Sequence, residues 1–218
     1  MPKIGLIAEG ETDQAVIENI LIGLGVESAD ILPLRPKYRA DQSDKGYQGG
    51  TWQGVKNDCL ARVELDRFLQ IADNDWIIIQ VDTAECEETN FGVLRPAKLD
   101  NPHYASELRQ NVINKVNEWV DNNYEKELLY AVTIEEMESW ILTIYLNEDT
   151  VQRISPKPKL ENELRRKNIT NKGCKDKKAF FDKQTVDFKK KKTLNLCISR
   201  NKSLQEFTES VKDKLNLK

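Results

Sequence analysis

The sequence predicts an α/β protein with an open, mostly parallel sheet and helices on both faces. Two observations support this fold class: apolar runs of strand length alternate with helical stripes, and the strongest run is apolar on both faces. That run, Trp76 to Val81, has the pattern of a strand buried inside a parallel sheet. With 218 residues, the chain is long enough to bury a core without disulfides or metals.

The first 36 residues predict a strand, a helix and a second strand. Lys3 to Ala8 is a short buried strand, and Thr12 is placed to cap the helix after it. The helix follows from apolar residues at helical spacing: Val16, Ile17, Ile20, Leu21 and Leu24. Ala29 to Leu34 is predicted as the second strand, which Pro36 ends.

The middle of the chain repeats this order. Gly46 to Gly54 is predicted as a loop, and a helix follows from Leu60, Val63, Phe68, Leu69 and Ile71. After the strand from Trp76, one helical stripe is formed by Tyr104, Leu108, Val112, Val116 and Val120. Leu128 to Thr133 is the next strand, and the helix after it has the stripe Met137, Trp140, Ile141, Ile144 and Tyr145.

The formal net charge of −3 conceals two blocks of opposite sign. Residues 1–150 hold 13 Lys and Arg against 28 Asp and Glu, and residues 151–218 hold 20 against 8. We therefore expect an α/β domain over residues 1–150 and a basic, mainly helical extension over residues 151–218, packed on it. The break is placed at Ser155 to Pro158. The basic block favours a nucleic-acid partner, although a solvated lysine-rich surface is an equally good explanation of Lys189, Lys190, Lys191 and Lys192.

Cysteine and histidine usage argues against zinc and thiol chemistry. The four cysteines form no C-x-x-C pair, and His103 is the only histidine. Buried, small apolar cysteines are therefore the main prediction, and Cys-His catalysis is the minority alternative. No apolar run approaches the roughly 20 residues that a membrane helix requires, and the N-terminus lacks a secretion-signal pattern. We expect a cytoplasmic protein with no membrane partner, and its oligomeric state stays open, a homo-oligomer included.

Acidic residues follow three of the predicted strands. Glu9, Gly10 and Asp13 follow the first strand, and Asp82 follows the strand from Trp76. The last strand runs into an acidic segment that starts the final helix of the domain. Because ligands of open parallel sheets bind beyond the carboxyl ends of the strands, these acids are expected to converge and to share a cation. Clustered carboxylates suit Mg²⁺ or Mn²⁺, which implies a phosphoester substrate.

Three glutamates in that last acidic segment are candidate metal ligands. Glu138 falls on the border of the apolar stripe, and Glu136 points away from it. Glu138 is therefore the better candidate ligand. For Glu135 and Glu136 a favourable charge in the first turn of the helix is the preferred explanation.

Two motifs carry a family resemblance. IAEGETD, residues 7–13, follows a short strand, and VDTAE, residues 81–85, follows an apolar strand. Over about the first two thirds of the chain, this order resembles the Toprim fold of topoisomerases, primases and overcoming-lysogenisation-defect nucleases. EEMESWILTIY and NKSLQEFTESV also resemble small stand-alone Toprim-like proteins of prokaryotes, suspected of roles in phage or plasmid defence.

The resemblance implies a metal-dependent site that cleaves or joins phosphodiester bonds. Its signature is Glu-Gly after strand one, matched at Glu9 and Gly10, and Asp-x-Asp after a later strand, and the acids of both parts hold the divalent metal. The first Asp matches Asp82, but the second falls at Ala84. Glu85, or Glu87, replaces this acid only if the chain turns there; an exposed acidic loop is the equal alternative.

In an active site, Glu9 is expected to position or deprotonate the attacking water, and Asp82 to bind the metal. Glu138 would add a ligand, and Gly10 would let the backbone approach phosphate. For Asp13 two roles stay open, a supporting role near the metal and a helix-start charge.

Three classes of function remain open from the sequence. The first is a Mg²⁺- or Mn²⁺-dependent nuclease, in which Tyr47 and Trp52 stack on unpaired bases or, more commonly for such aromatics, cover the core. The second is a degenerate Toprim module that binds nucleic acid or a nucleotide, or that partners an ATPase, since the chain has no phosphate-loop motif of its own. The third, ranked lower, is a receiver-like α/β domain.

Overall fold

Four parallel strands form one open sheet. The computed structural model describes residues 2–36, 51–121, 124–152, 154–170, 174 and 176–217. Within these residues the spatial order of the strands is β2-β1-β3-β4, and every neighbouring pair is parallel. The strands are β1 (Lys3–Ile7), β2 (Ile31–Arg35), β3 (Asn74–Asp82) and β4 (Leu128–Thr133). The predicted α/β class with an open parallel sheet is confirmed.

Helices surround this sheet. In the described part of the chain they are α1 (Glu11–Leu24), α2 (Trp52–Ala61), α3 (Val63–Leu69), α4 (Tyr104–Trp119), α5 (Glu138–Tyr145), α6 (Pro156–Arg166), α7 (Lys177–Gln184), α8 (Lys191–Ile198) and α9 (Lys202–Leu215). Two short 3-10 segments, Ser28–Asp30 and Val186–Lys189, precede β2 and α8. Across the described ranges, no helix combines the length and apolarity needed to cross a bilayer.

Each face of the sheet has its own hydrophobic core. Because side chains alternate along a strand, Ile78 contributes to one core and Ile77 and Ile79 to the other. The first core lies against α1, α5, α6, α8 and α9, and the second lies against α2, α3 and α4. Leu160, Phe188 and Phe207 belong to the first core, so residues after 150 share a core with the sheet.

Two predictions in the middle of the chain are wrong. The predicted loop from Gly46 extends too far, because α2 already begins at Trp52; residues 37–50, Tyr47 included, lie outside the described residues. The predicted single helix around Val63 is two helices, which Arg62 separates with a φ of 59°. Leu60, Val63 and Ile71 are exposed as a result, whereas Leu65 and Phe68 are buried.

Gly23 lets α1 approach the 3-10 segment before α8. A Cβ built on Gly23 would lie 2.0 Å from the carbonyl oxygen of Phe188, and backbone cannot move aside as a flexible side chain does. We therefore expect Gly23→Ala to lower the free energy of unfolding by about 1–3 kcal/mol, although alanine is favoured over glycine in an unobstructed helix. Urea unfolding measures this difference, and an unchanged or higher stability would contradict the close packing.

Candidate functional site

The candidate site lies at the carboxyl edge of the sheet, where β1 and β3 end side by side. The helix that follows β1, α1, and the helix that follows β3, α4, pack on opposite faces of the sheet, and open α/β sheets bind ligands at such a point. Glu9 follows β1, and Asp82 is the last residue of β3. The backbone N–H of Asp82 donates to Oε1 of Glu9 at 2.7 Å, which brings together two acids 73 residues apart.

Gln80 holds these two acids in place. Its buried side chain accepts from the backbone N–H of Glu9 at 2.9 Å and donates from Nε2 to Oδ1 of Asp82 at 2.8 Å. The Thr133 hydroxyl also donates to Oδ1 of Asp82, and the backbone N–H of Met137 donates to Oδ2 at 3.3 Å. The sequence analysis missed Gln80, although a glutamine inside an apolar strand is a signal, because a buried amide needs partners.

The start of α1 supplies the next carboxylate. Gly10 is the N-cap residue, and its backbone N–H donates to Oδ2 of Asp13 at 2.9 Å. The prediction that Thr12 caps the helix is wrong, since the N-cap is Gly10, two residues earlier, and α1 begins at Glu11. Asp13 thus lies in the first turn of α1, as a helix-start charge would. It also lies near enough to Glu138 for their charges to repel.

The acidic segment after β4 differs from its prediction. The helix begins only at Glu138, so Glu135 and Glu136 are not in its first turn. Glu135 instead has a φ of 64° and binds Arg95, and Oε2 of Glu136 accepts from the backbone N–H of Lys157 at 3.3 Å. Glu138, which is partly buried, is the residue of this segment whose charge acts on the other acids of the site.

Glu9, Asp13, Asp82 and Glu138 form what we term the carboxylate cluster. Burial raises the pKa of Glu9 to about 8 and that of Asp13 to about 7, and repulsion from neighbouring carboxylates adds to both shifts. Burial and then repulsion from Glu9 raise the pKa of Asp82 well above its usual range. Burial also raises the pKa of Glu138. Carboxyls that repel one another in this way favour a bound cation.

The cluster has the donor chemistry for a hard divalent cation. Carboxylate oxygens are the ligands that Mg²⁺ and Mn²⁺ take in proteins. Among the described residues, no three His, Cys, Asp or Glu side chains are already arranged around one ion position. The carboxylates accept hydrogen bonds instead, Glu9 from Asp82 and Asp13 from Gly10, so a bound ion would compete with some of these bonds.

The chain turns directly after β3. Ala84, at the position of the missing acid, is exposed, and its backbone N–H donates to the carbonyl oxygen of Glu135 at 3.0 Å. The backbone N–H of Glu88 donates to the carbonyl oxygen of Glu85 at 3.0 Å, which closes the turn. Glu85 is exposed there, and its charge contributes to the raised pKa of Glu9 after the larger effect of burial. The turn on which a substitute role for Glu85 depends is therefore present.

Arg95 links this turn to the segment after β4 by hydrogen bonds. Its Nη1 and Nη2 donate to the two carboxylate oxygens of Glu135 at 2.7 and 3.1 Å, and Nη2 donates to the carbonyl oxygen of Thr83 at 2.7 Å. Its Nε lies 3.6 Å from Oε2 of Glu87, so Glu87 is bound to this arginine. The sequence analysis missed Arg95 because it lies in a segment without helical or strand periodicity.

Two further basic residues border the cluster. Arg35, at the end of β2, donates to the carbonyl oxygens of Ala8 and Glu9 at 2.8 and 3.2 Å. Lys157, in the first turn of α6, is exposed, and its positive charge opposes the effect of burial on the pKa of Glu138. The structure therefore places positively charged side chains at the site that were not predicted from the sequence.

The predicted lysine run lies elsewhere. Lys189 pairs with Asp182 at 3.2 Å, and Lys190 pairs with Asp187 at 2.7 Å. These two lysines flank the end of the 3-10 segment that packs against Gly23, which is about 20 Å along α1 from Gly10 at the rise of an α-helix. The structure does not bring Lys189, Lys190, Lys191 and Lys192 to the carboxylate cluster.

Trp52 is buried inside an aromatic group, not displayed to solvent. It is 2% exposed, and its ring centroid lies 5.0 Å from that of Phe91 and 6.3 Å from that of Trp119. Of the two predicted roles, the structure supports covering the core over stacking on bases. Tyr47 lies outside the described residues.

The prediction of buried cysteines is confirmed for three of the four and is wrong for Cys174. Cys59, Cys86 and Cys197 are buried, and Cys174 is partly exposed. Burial raises the pKa of Cys59 to about 12 and that of Cys86 to about 11, so both thiols stay protonated at neutral pH.

The fold and the site define a class of protein: an α/β protein with a cluster of carboxylates at the switch point of an open parallel sheet. Comparison of the chain with protein-family models, curated proteins and solved structures gives no match. Any function therefore follows from the chemistry of the carboxylate cluster and its basic neighbours.

Proposed function

We propose that this chain is a divalent-metal-dependent nuclease that hydrolyses phosphodiester bonds of nucleic acid. The observation that carries the proposal is the carboxylate cluster: acids from two neighbouring strands and two helix starts meet at one sheet edge. Glu9 and Asp82 also hold the positions at which the resemblance to Toprim proteins expects metal ligands. The exposed charge of Lys157 beside the cluster supports an anionic substrate.

In this proposal Mg²⁺ or Mn²⁺ supplies the positive charge that polarises the phosphate and activates water. Glu9, Asp82 and Glu138 would hold the ion, with Asp13 and Glu85 as further oxygen donors. Glu9 orients the attacking water and accepts its proton. Gly10, which has no Cβ, leaves room for the phosphate at the start of α1. Lys157 contacts the phosphate backbone, which gives affinity with little sequence preference.

A second candidate is a degenerate module that binds nucleic acid or a nucleotide, or that partners an ATPase, without cutting. Two observations favour it. Ala84 leaves the second acid of the motif missing, and the carboxylate of Asp82 already accepts hydrogen bonds from Gln80, Thr133 and Met137. A role in phage or plasmid defence and a cytoplasmic location stay predictions under either candidate.

The decisive experiment is cleavage of supercoiled plasmid, single-stranded DNA and RNA by the purified full chain with Mg²⁺ or Mn²⁺. We expect cleavage of at least one substrate, complete loss in EDTA, and recovery when the metal is restored. A Glu9→Gln preparation purified in the same way controls for contaminating nuclease. Metal-dependent cleavage lost in that variant supports the nuclease.

The same preparations separate the two candidates. Salt-sensitive nucleic-acid binding without cleavage, in either metal, would reject the nuclease in favour of the degenerate module. Cleavage that survives in EDTA, or that is equal in Glu9→Gln, would show that the carboxylate cluster is not the active site.

A further inference from the structure

Arg35 forms three hydrogen bonds with the backbone of Ala8 and Glu9. Its side chain is only 11% exposed, and Nη1 donates to the carbonyl oxygens of both Ala8 and Glu9. The backbone N–H of Ala8 donates in return to the carbonyl oxygen of Arg35 at 2.9 Å. The segment that leaves β1 is thus held from β2 through main chain and side chain together.

The guanidinium of Arg35 is itself fixed from α2. Its Nε lies 2.8 Å from Oδ2 of Asp58, so the ion pair sets the direction of the planar group. A Cβ built on Gly54 would lie 1.6 Å from Nη2 and 2.4 Å from Cζ of Arg35. The guanidinium therefore occupies the space that any side chain at position 54 would fill.

A second bond joins the same two parts of the chain. Nε2 of Gln14 donates to the carbonyl oxygen of Pro36 at 3.0 Å, and this buried bond links α1, next to Asp13, to the residue after Arg35. The end of β2 thus contacts the site segment both before and after Gly10.

We propose that Arg35 is a positioning residue of the carboxylate cluster, and that Gly54 is required because it leaves the space for the Arg35 guanidinium. This inference rests on the proposed nuclease function. Arg35 fixes the peptide planes on both sides of the Glu9 Cα, and so fixes the direction in which the Glu9 side chain leaves the backbone toward Asp82. Because misplacing a reacting group by about 1 Å costs about 100-fold in rate, a small rotation of this backbone is enough to matter.

Arg35→Lys and Gly54→Ala test the proposal from the two sides of the contact. Lysine keeps the positive charge but lacks the planar fork that contacts two carbonyl oxygens and Asp58 at once. Gly54→Ala keeps the arginine and displaces it, while alanine is the better residue for a helix such as α2. Arg67→Lys, an exposed arginine paired with Glu64 on α3, is the matched control.

We expect Arg35→Lys and Gly54→Ala each to lower kcat about 10- to 100-fold with little change in KM for the nucleic acid. The double variant should lose no more than about twofold beyond Arg35→Lys, because both changes act on one contact. The Mn²⁺ dissociation constant, measured by titration without nucleic acid, should rise in both single variants. Arg67→Lys should match the wild type in every measurement.

The outcomes separate this inference from the proposed function. A wild-type protein that cuts and binds Mn²⁺, beside single variants that do the same, would overturn the role of Arg35 alone. Independent, multiplying losses in the double variant would overturn the link to Gly54. Lower stability with unchanged kcat and Mn²⁺ affinity would make Arg35 merely structural. A wild type that neither cuts nor binds Mn²⁺ would overturn the proposed function, and the positioning role with it.

Discussion

In EDTA, the free energy of unfolding is expected to fall as the pH rises from about 5 to about 8. Glu9 contributes to this fall because burial raises its pKa from 4.5 to about 8 in the folded chain, and the raised pKa values of Asp13 and Asp82 act in the same direction. Between these values the folded state holds a proton that the unfolded chain releases. The stabilisation is therefore complete below the lower pKa and is lost as the pH rises through the higher one. Each such group adds at most about 1.4 kcal/mol per pH unit to the slope.

Glu9→Gln isolates this contribution, because glutamine stays neutral and its Oε1 can still accept from the Asp82 backbone N–H. We expect the free energy of unfolding of the variant to match that of the wild type at about pH 5. At about pH 8 it should be higher than that of the wild type by on the order of 2–4 kcal/mol. Adding Mg²⁺ at the higher pH should stabilise the wild type and have less effect on the variant. Urea unfolding at both pH values, with and without the metal, measures all of these differences.

Glu118→Gln is the control for that comparison, since Glu118 is exposed near the end of α4 and pairs with a surface lysine, Lys115. Its stability should follow the wild type at each pH. A wild-type free energy of unfolding that is level or rises between the two pH values would contradict the raised pKa of Glu9. An equal pH slope in Glu9→Gln would contradict it as well.

The sheet could be predicted because its signals are local. β3 and β4 are apolar runs bounded by polar residues, and the predicted strand from Leu128 to Thr133 matches β4 residue for residue. The break between α2 and α3 could not be predicted, because it depends on Arg62, a residue type with no preference for positive φ. The start of α5 was missed for the same reason, since Glu135 also has a positive φ.

The acids of the site were predicted because each follows a strand, and strand ends of a parallel sheet meet at one edge. Their supporting residues were not predicted. Arg35 contacts Glu9 across 26 residues, and Arg95 contacts Glu135 across 40, so neither contact leaves a pattern in a short window of sequence. Lys157 reaches the site only because α6 packs against α5. Basic residues around the carboxylate cluster are placed by tertiary structure, which one sequence does not reveal.

Glu9→Gln is expected to lower metal-dependent cleavage by about 10²- to 10⁴-fold, the usual contribution of a general base. The substitution removes the charge and the proton acceptor but retains the size and the hydrogen bond to the Asp82 backbone. The loss therefore measures chemistry and not misfolding, particularly since the same variant is expected to be the more stable protein at about pH 8 in EDTA. Single-turnover rates at saturating Mn²⁺ measure it, and a loss below about tenfold would exclude Glu9 as the base.

Asp13→Asn, assayed beside Glu9→Gln, decides between the two roles that the sequence leaves open for Asp13. Asparagine can still accept from the Gly10 backbone N–H, so a residue that only starts α1 should tolerate this change with unchanged cleavage. Asp13 also lies near enough to Glu138 for their charges to repel, so both carboxylates are available to one ion. We therefore expect the cleavage rate to fall at least about tenfold at low Mn²⁺. The rate should recover in part at saturating Mn²⁺, because a lost ligand acts through metal affinity. An Asp13→Asn rate equal to the wild type at every Mn²⁺ concentration would restrict the metal site to the strand ends and Glu138.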